Sequence, residues 1–317
     1  MAEIILLLSV AIGALLAMNI GVNTLGSTVG ILRGSTNQDY KVVAGAAVLA
    51  ALAGTFLLSE RIVSTISRDL IKLEPSGIFA VLLAIIIIAG YLNYKGTPIS
   101  STYVVIGAIM GYGFFAGGLG FAKLQQILII IFASPFVALI AGFALNYFIK
   151  RTMKNKMKGI SKIESFEMMF IIPSLVGMLL LSFALGANSV GIAMGLFGNE
   201  LSFSTLFLIG AVGIIAGILL FGKKTTQTIG IELADLSPSR GFIVMLVTGI
   251  IMLAFVYSGI PISATQTIMG ALIGVSLTTR AVNLKEAAKI SASWLILLPA
   301  AIVILSGLLA GGIALIL

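Results

Sequence analysis

The chain contains neither cysteine nor histidine. Without cysteine there is no disulfide, no thiolate metal site and no thiol nucleophile. Without histidine the commonest proton shuttle and metal ligand is missing too. Charge is also scarce: 9% of the 317 residues are charged, where a soluble domain carries about a quarter. A chain that is 59% hydrophobic, with a mean hydropathy of +1.19, has too few polar groups to cover its own surface. It reads as an all-α polytopic membrane protein. Its few carboxylates are not paired at catalytic spacing in the apolar runs, which argues against an intramembrane enzyme. The net charge of +8 does not point to nucleic acid. Its densest cluster, Lys150, Arg151, Lys154, Lys156, Lys158 and Lys162, sits between apolar runs without interleaved aromatics, as a topology-holding loop does.

Proline is rare as well, and six of the seven fall into pairs. Pro75 and Pro238 are 163 residues apart, as are Pro98 and Pro261, and Pro135 and Pro299 are 164 apart. The flanks agree, Gly96-Thr97-Pro98-Ile99-Ser100 answering Gly259-Ile260-Pro261-Ile262-Ser263. A residue that breaks helices is a poor one to repeat by drift, so the chain reads as a duplicated unit. Residues 1–149 form the first half, 150–165 a basic cytoplasmic linker and 166–317 the second half. Five apolar runs fit each half, at 2–32, 42–59, 77–94, 98–117 and 124–149, then 166–198, 203–222, 241–258, 261–278 and 290–317. The first run carries Glu3 and no basic lead, unlike a cleaved signal peptide. With the 150–162 cluster inside, fifteen of the nineteen basic residues lie inside, and only Arg61, Arg68, Lys72 and Lys123 lie outside. That follows the positive-inside rule and leaves both termini outside. An odd number of spans makes the repeat inverted, an architecture of secondary transporters built around discontinuous or re-entrant helices.

Two polar, glycine-rich segments recur in each half. The first runs from Ala17 to Gly30, with Asn19, Asn23, Ser27 and Thr28, and is answered by Ala184 to Gly195, with Asn188 and Ser189. The second carries Ser100, Ser101, Thr102 and Tyr103, answered by Ser263, Ala264, Thr265 and Gln266. All four segments are expected to interrupt helices. Pro98 and Pro261 are expected in the first turns of half-helices, where proline costs no hydrogen bond. The amides of 100–102 and 263–265 would then be uncapped at positive dipole ends, an anion site made from backbone. The substrate residues expected are Asn19, Ser100, Ser101, Thr102, Asn188, Ser189, Ser263, Thr265 and Gln266. Asn23, Ser27 and Thr28 are candidates for the coupling ion or for gating. No resident cofactor or metal is expected.

These segments resemble the inorganic phosphate transporter (PiT) family of secondary transporters over nearly the whole chain. The resemblance implies an inverted-repeat fold, anion import by alternating access with Na+ or H+ symport, a multi-pass place in the cell membrane and a homodimer. The departures are specific. Ile20 and Ser189 stand where the family usually has aspartate, uncharged Ala51 and Ile214 fall near its further acid, and Tyr103 and Gln266 replace its motif histidine. The start Ala17-Met18-Asn19-Ile20-Gly21 looks like the sulfate permease branch. Sulfate carries no proton and is repelled by a carboxylate, whereas phosphate near pH 7 can donate one. Sulfate is therefore the expected substrate and phosphate the alternative, with an anion channel as the reading from another class. Importing a dianion against about −100 mV costs about 4.6 kcal/mol, so accumulation needs more than two co-transported positive charges. The sulfate resemblance favours protons for that role.

Overall fold

The computed structural model describes residues 2–36, 38–94, 100–153, 160–232, 236–278 and 298–315. Several sequence features fall outside them: Lys95, Pro98, Lys154, Lys156, Lys158, Arg280, Lys285 and Lys289. Eleven α-helices are described. They are α1 (Ala2–Thr36), α2 (Tyr40–Ser64), α3 (Pro75–Tyr94), α4 (Ser101–Ala116), α5 (Phe121–Met153), α6 (Ile160–Met168), α7 (Ile171–Met194), α8 (Phe203–Glu232), α9 (Pro238–Tyr257), α10 (Ala264–Leu277) and α11 (Leu298–Ala314). A π-helical stretch, Thr65–Leu70, extends α2, and one 3₁₀ turn, Gly195–Phe197, follows α7.

Local chemistry sets several helix ends. Asp39 caps α2 by accepting from the amides of Lys41 at 2.8 Å and Val42 at 3.3 Å, relieving two of the unpaired donors of a helix start. Pro238 opens α9 behind the cap residue Ser237, where its missing N–H is not needed. α1 has Glu3 in its first turn and Arg33 in its last, each matched to the helix dipole.

The asparagine segments do not interrupt their helices. α1 runs unbroken through residues 17–30, and α7 continues to Met194. The polar side chains of α1 satisfy themselves one turn back. Asn23 Nδ2 donates to Asn19 Oδ1 at 3.2 Å, Thr24 Oγ1 to Ile20 O at 2.7 Å, Ser27 Oγ to Asn23 O at 2.6 Å and Thr28 Oγ1 to Thr24 O at 3.3 Å. Such back-bonding keeps a polar stripe compatible with a continuous helix.

The second pair of segments does break the chain. α9 ends at Tyr257, Gly259 takes φ +71°, and α10 starts only at Ala264. Pro261 therefore precedes the cap residue Ser263 instead of standing in the first turn, and it steers Ile260 toward extended backbone. α4 likewise begins after Ser100. At 1.5 Å per residue α10 spans about 21 Å and α4 about 24 Å, short of the ~30 Å hydrocarbon core. Six described helices (α1, α2, α5, α7, α8 and α9) are long and apolar enough to cross a membrane, and shorter apolar helices accompany them. The expected ten crossings thus resolve into long helices and shorter pieces. Charge sorts to the two ends. Arg61 meets Tyr257 and Lys123 pairs with Asp69 at one, while Lys150 meets Thr278 at the other.

Helix pairs lie close because glycine faces backbone. α1 packs on α8, α2 on α7, α5 on α10 and α4 on α11. A Cβ at Gly54 would overlap Phe183 O, one at Gly186 would overlap Ala51 O, and one at Gly270 would overlap Pro135 O. Lipid offers no hydrophobic drive between helices, so close backbone approach supplies the contact. Ala51 and Ile214 are fully buried in these crossings, so the positions nearest the missing family acid serve packing.

Candidate functional site

The caps of the two short helices meet. Ser100 Oγ and Ser263 Oγ lie 2.7 Å apart, 163 residues distant in sequence and both buried. Thr102 Oγ1, in the first turn of α4, donates to Ile262 O at 3.1 Å. Asn188 of α7 grips the same residue with both ends of its amide. Its Nδ2 donates to Ile262 O at 3.0 Å, and its Oδ1 accepts from Ile262 N at 3.1 Å. A buried backbone pair outside a helix must find partners, and Asn188 supplies both. Four expected residues, Ser100, Thr102, Asn188 and Ser263, thus converge on one buried junction, where two positive helix ends face each other.

The other candidates are placed differently. Ser189 Oγ lies 3.2 Å from Thr24 Oγ1 and ties α7 to α1. Asn19, Asn23 and Ser27 form a half-buried stripe on α1, bonded to each other and to their own helix. Thr28 bonds only within α1 in the contacts described. Ser101 and Thr265 are half-buried in the first turns of α4 and α10. The amides of α10 are less open than expected, since Ser263 Oγ accepts from Gln266 N at 3.3 Å and Ser263 O from Thr267 N at 3.0 Å. Gln266 itself is buried at 3% exposure, and its Oε1 accepts no hydrogen bond from the described residues. A buried acceptor without a donor costs about 1–3 kcal/mol.

The sequence model of the phosphate transporter family matches residues 20–305. The chain belongs to this family. It is 25% identical to a provisionally named phosphate permease of Methanocaldococcus jannaschii, covering 87% of this chain and 86% of the relative. A similarly named protein of Haemophilus influenzae is 25% identical, with 91% and 92% covered. Among solved structures, the fold matches one titled the sodium-dependent phosphate transporter, with a TM-score of 0.81 at 20% identity, over 99% of this chain and 100% of the other. Family and long apolar helices together make this a multi-pass membrane protein of a transporter family. The likeness to a sulfate branch finds no support here.

The packing gives Tyr103 and Pro135 a context that the sequence did not. Pro135 stands inside α5 and has no N–H to give Ile131 O, one turn earlier. Tyr103 OH donates to Ile131 O at 3.2 Å and Ser134 Oγ does so at 3.1 Å. The orphan carbonyl left by the proline is thus satisfied from α4 and from its own helix. Tyr103, 1% exposed, is a structural donor. Tyr103→Phe is expected to cost about 1 kcal/mol of stability and to leave anion affinity unchanged. Thermal unfolding beside uptake measurements checks both.

Proposed function

We propose that this protein is a secondary transporter that imports inorganic phosphate by alternating access, coupled to a cation. The observation that carries the reading is the buried contact between Ser100 and Ser263, the cap residues of two short helices. An oxyanion inserted there would part the two hydroxyls and receive them as donors, along with the positive ends of α4 and α10. Ser101, Thr102 and Thr265 flank it from the same helix turns, with Asn188 and Ser189 holding the limb before α10 and the neighbouring α1. Asn19 stands at the equivalent place in the first half.

The choice of phosphate over sulfate rests on two supports. The relatives bear phosphate permease names, and Gln266 Oε1 is a buried acceptor in want of a proton. Hydrogen phosphate brings an O–H that could satisfy it, and sulfate brings none. Carboxylates are not the only way to recognise that proton.

The packing supports an inverted repeat as the frame for alternating access. If α1 to α5 correspond to α7 to α11, the contact of α1 with α8 is answered by α7 with α2, and that of α5 with α10 by α11 with α4. The second half then carries one broken span, whose turn at Gly259 lies at one face and whose second helix starts near the midplane. In the first half α4 starts at the matching place. Basic ends inside and both termini outside complete the topology, with residues 150–165 joining the halves. The coupling ion is proposed to be sodium, held by oxygens of Asn19, Asn23, Ser27 and Thr28. The protein is further proposed to work as a homodimer.

Uptake of radiolabelled phosphate into proteoliposomes under an inward sodium gradient tests the reading. Saturable uptake is expected that collapses without the gradient and is inhibited by unlabelled phosphate more than by sulfate. Stronger inhibition by sulfate would reverse the substrate assignment, and unsaturable flux would make the protein a channel. Ser100→Ala and Ser263→Ala are each expected to raise KM about tenfold or more, the loss of a hydrogen bond to a charged ligand. A KM left unchanged in both would remove the anion from this junction.

A further inference from the structure

Away from the helix caps, a cavity of about 810 Å³ opens between α2 and α8 at one end of the molecule. Among the described residues its rim carries Arg33, Lys41 and Lys223, with Asp39 as the one acid. Asp39 Oδ1 is engaged with the amides of Lys41 and Val42. The Arg33 guanidinium lies 5.7 Å from the centre of the Tyr40 ring and spends its Nε on Gln38 O. Tyr40 OH donates to Ile218 O at 3.2 Å, which joins the two helices at the rim.

Below the rim the lining turns aliphatic, with Val48, Leu49, Ile215 and Leu219. Leu49 also lines a second, almost wholly apolar groove that continues past Ala50 against Leu180 and Phe183 of α7. From Lys41 to Ala50, α2 rises about 14 Å, the depth of one leaflet of a ~30 Å hydrocarbon core. Gly45 faces this slot with no atom near the place of a Cβ, so the floor stays open. A small free anion would need the basic rim alone. The greasy track beneath it matches a ligand with a charged head and a long tail.

We propose that this slot binds an anionic phospholipid, its phosphate held by Arg33, Lys41 and Lys223 and one acyl chain lying along α2 toward Ala50. A rim with three cations and one acid attracts a negative headgroup in preference to a zwitterionic one, as basic pockets between membrane helices do. The assignment is independent of the substrate that the helix caps carry.

Native mass spectrometry of the full chain, titrated with phosphatidylglycerol, phosphatidylcholine or glycerol 3-phosphate, tests it. Phosphatidylglycerol is expected to bind at least tenfold more tightly than phosphatidylcholine. Lys41→Gln and Lys223→Gln should each weaken it about fivefold. Gly45→Leu should abolish binding with the rim charges intact, while Gly45→Ala retains it. Unaltered elution of the variants on gel filtration and unchanged phosphate uptake would show that they fold. Equal binding of both lipids, or phosphatidylglycerol binding that no variant weakens, overturns the proposal. So does displacement by glycerol 3-phosphate at matched concentration, which would mark a site for free anions. A dimer lost on Gly45→Leu would assign the slot to a second copy of the chain and overturn it equally.

Discussion

Asn188→Ala is expected to lower phosphate uptake at least tenfold while the helices remain assembled. Asn188 is 1% exposed, and its amide pairs with both the N–H and the C=O of Ile262. Truncation leaves the amide without a partner and the carbonyl with Thr102 alone. Each buried backbone group left unpaired costs about 1–3 kcal/mol, and the limb that positions Ser263 would shift to find water or another partner. Asn188→Asp is an instructive companion. A carboxylate can still accept from Ile262 N but has no donor for Ile262 O, and it sets a negative charge beside the proposed anion. Its uptake should fall at least as far as that of the alanine variant. Hydrogen exchange at the Ile262 amide reads the local effect separately, and full protection retained in Asn188→Ala would show that Asn188 does not hold the limb.

Gly270→Val should be the most damaging single change to the assembly itself. A Cβ at Gly270 would overlap Pro135 O, and the neighbouring Gly274 meets Leu139 O in the same way. Helix α10 cannot move off α5 without carrying its cap Ser263 away from Ser100. Overpacking typically costs about 1–3 kcal/mol, and a clash with backbone cannot be relieved by a side-chain rotation. Thermal unfolding in detergent should show a drop of several degrees or loss of the folded species. Gly90→Ala, at an exposed place on α3 where an added Cβ meets nothing, should leave unfolding unchanged or raise it slightly through helix propensity. Equal effects at the two positions would mean that the α5–α10 contact does not limit stability.

Much of the fold was legible because bilayer physics is strict. Apolar runs separated by basic clusters admit few structures other than packed helices, and the observed helices follow the expected runs closely. Ser100, Thr102, Asn188 and Ser263 were legible as candidates, beside Asn19, Ser101, Ser189, Thr265 and Gln266, because polar segments recur at matched positions in a duplicated pattern. That the first four meet was not legible. The asparagine segments misled. Polar and glycine-rich composition is shared by helix breaks and by tight helix crossings, and in α1 the side chains bond to their own turn. Sulfate was inferred from missing carboxylates, a reading that overlooked Gln266 as a possible acceptor for a proton.

Composition and charge alone determined that this chain lives in a membrane as packed helices, because so few charges cannot clothe a soluble surface. The repeated prolines also marked where two of those helices would be short. Tertiary structure decided which hydroxyls bond along their own helix and which meet a partner across the fold. Thr28 bonds to its own helix, and Tyr103 repairs the carbonyl that Pro135 orphans. Ser100 and Ser263 instead find each other across 163 residues. A hydroxyl reads the same in all of these places, and only the partner it meets on packing separates them.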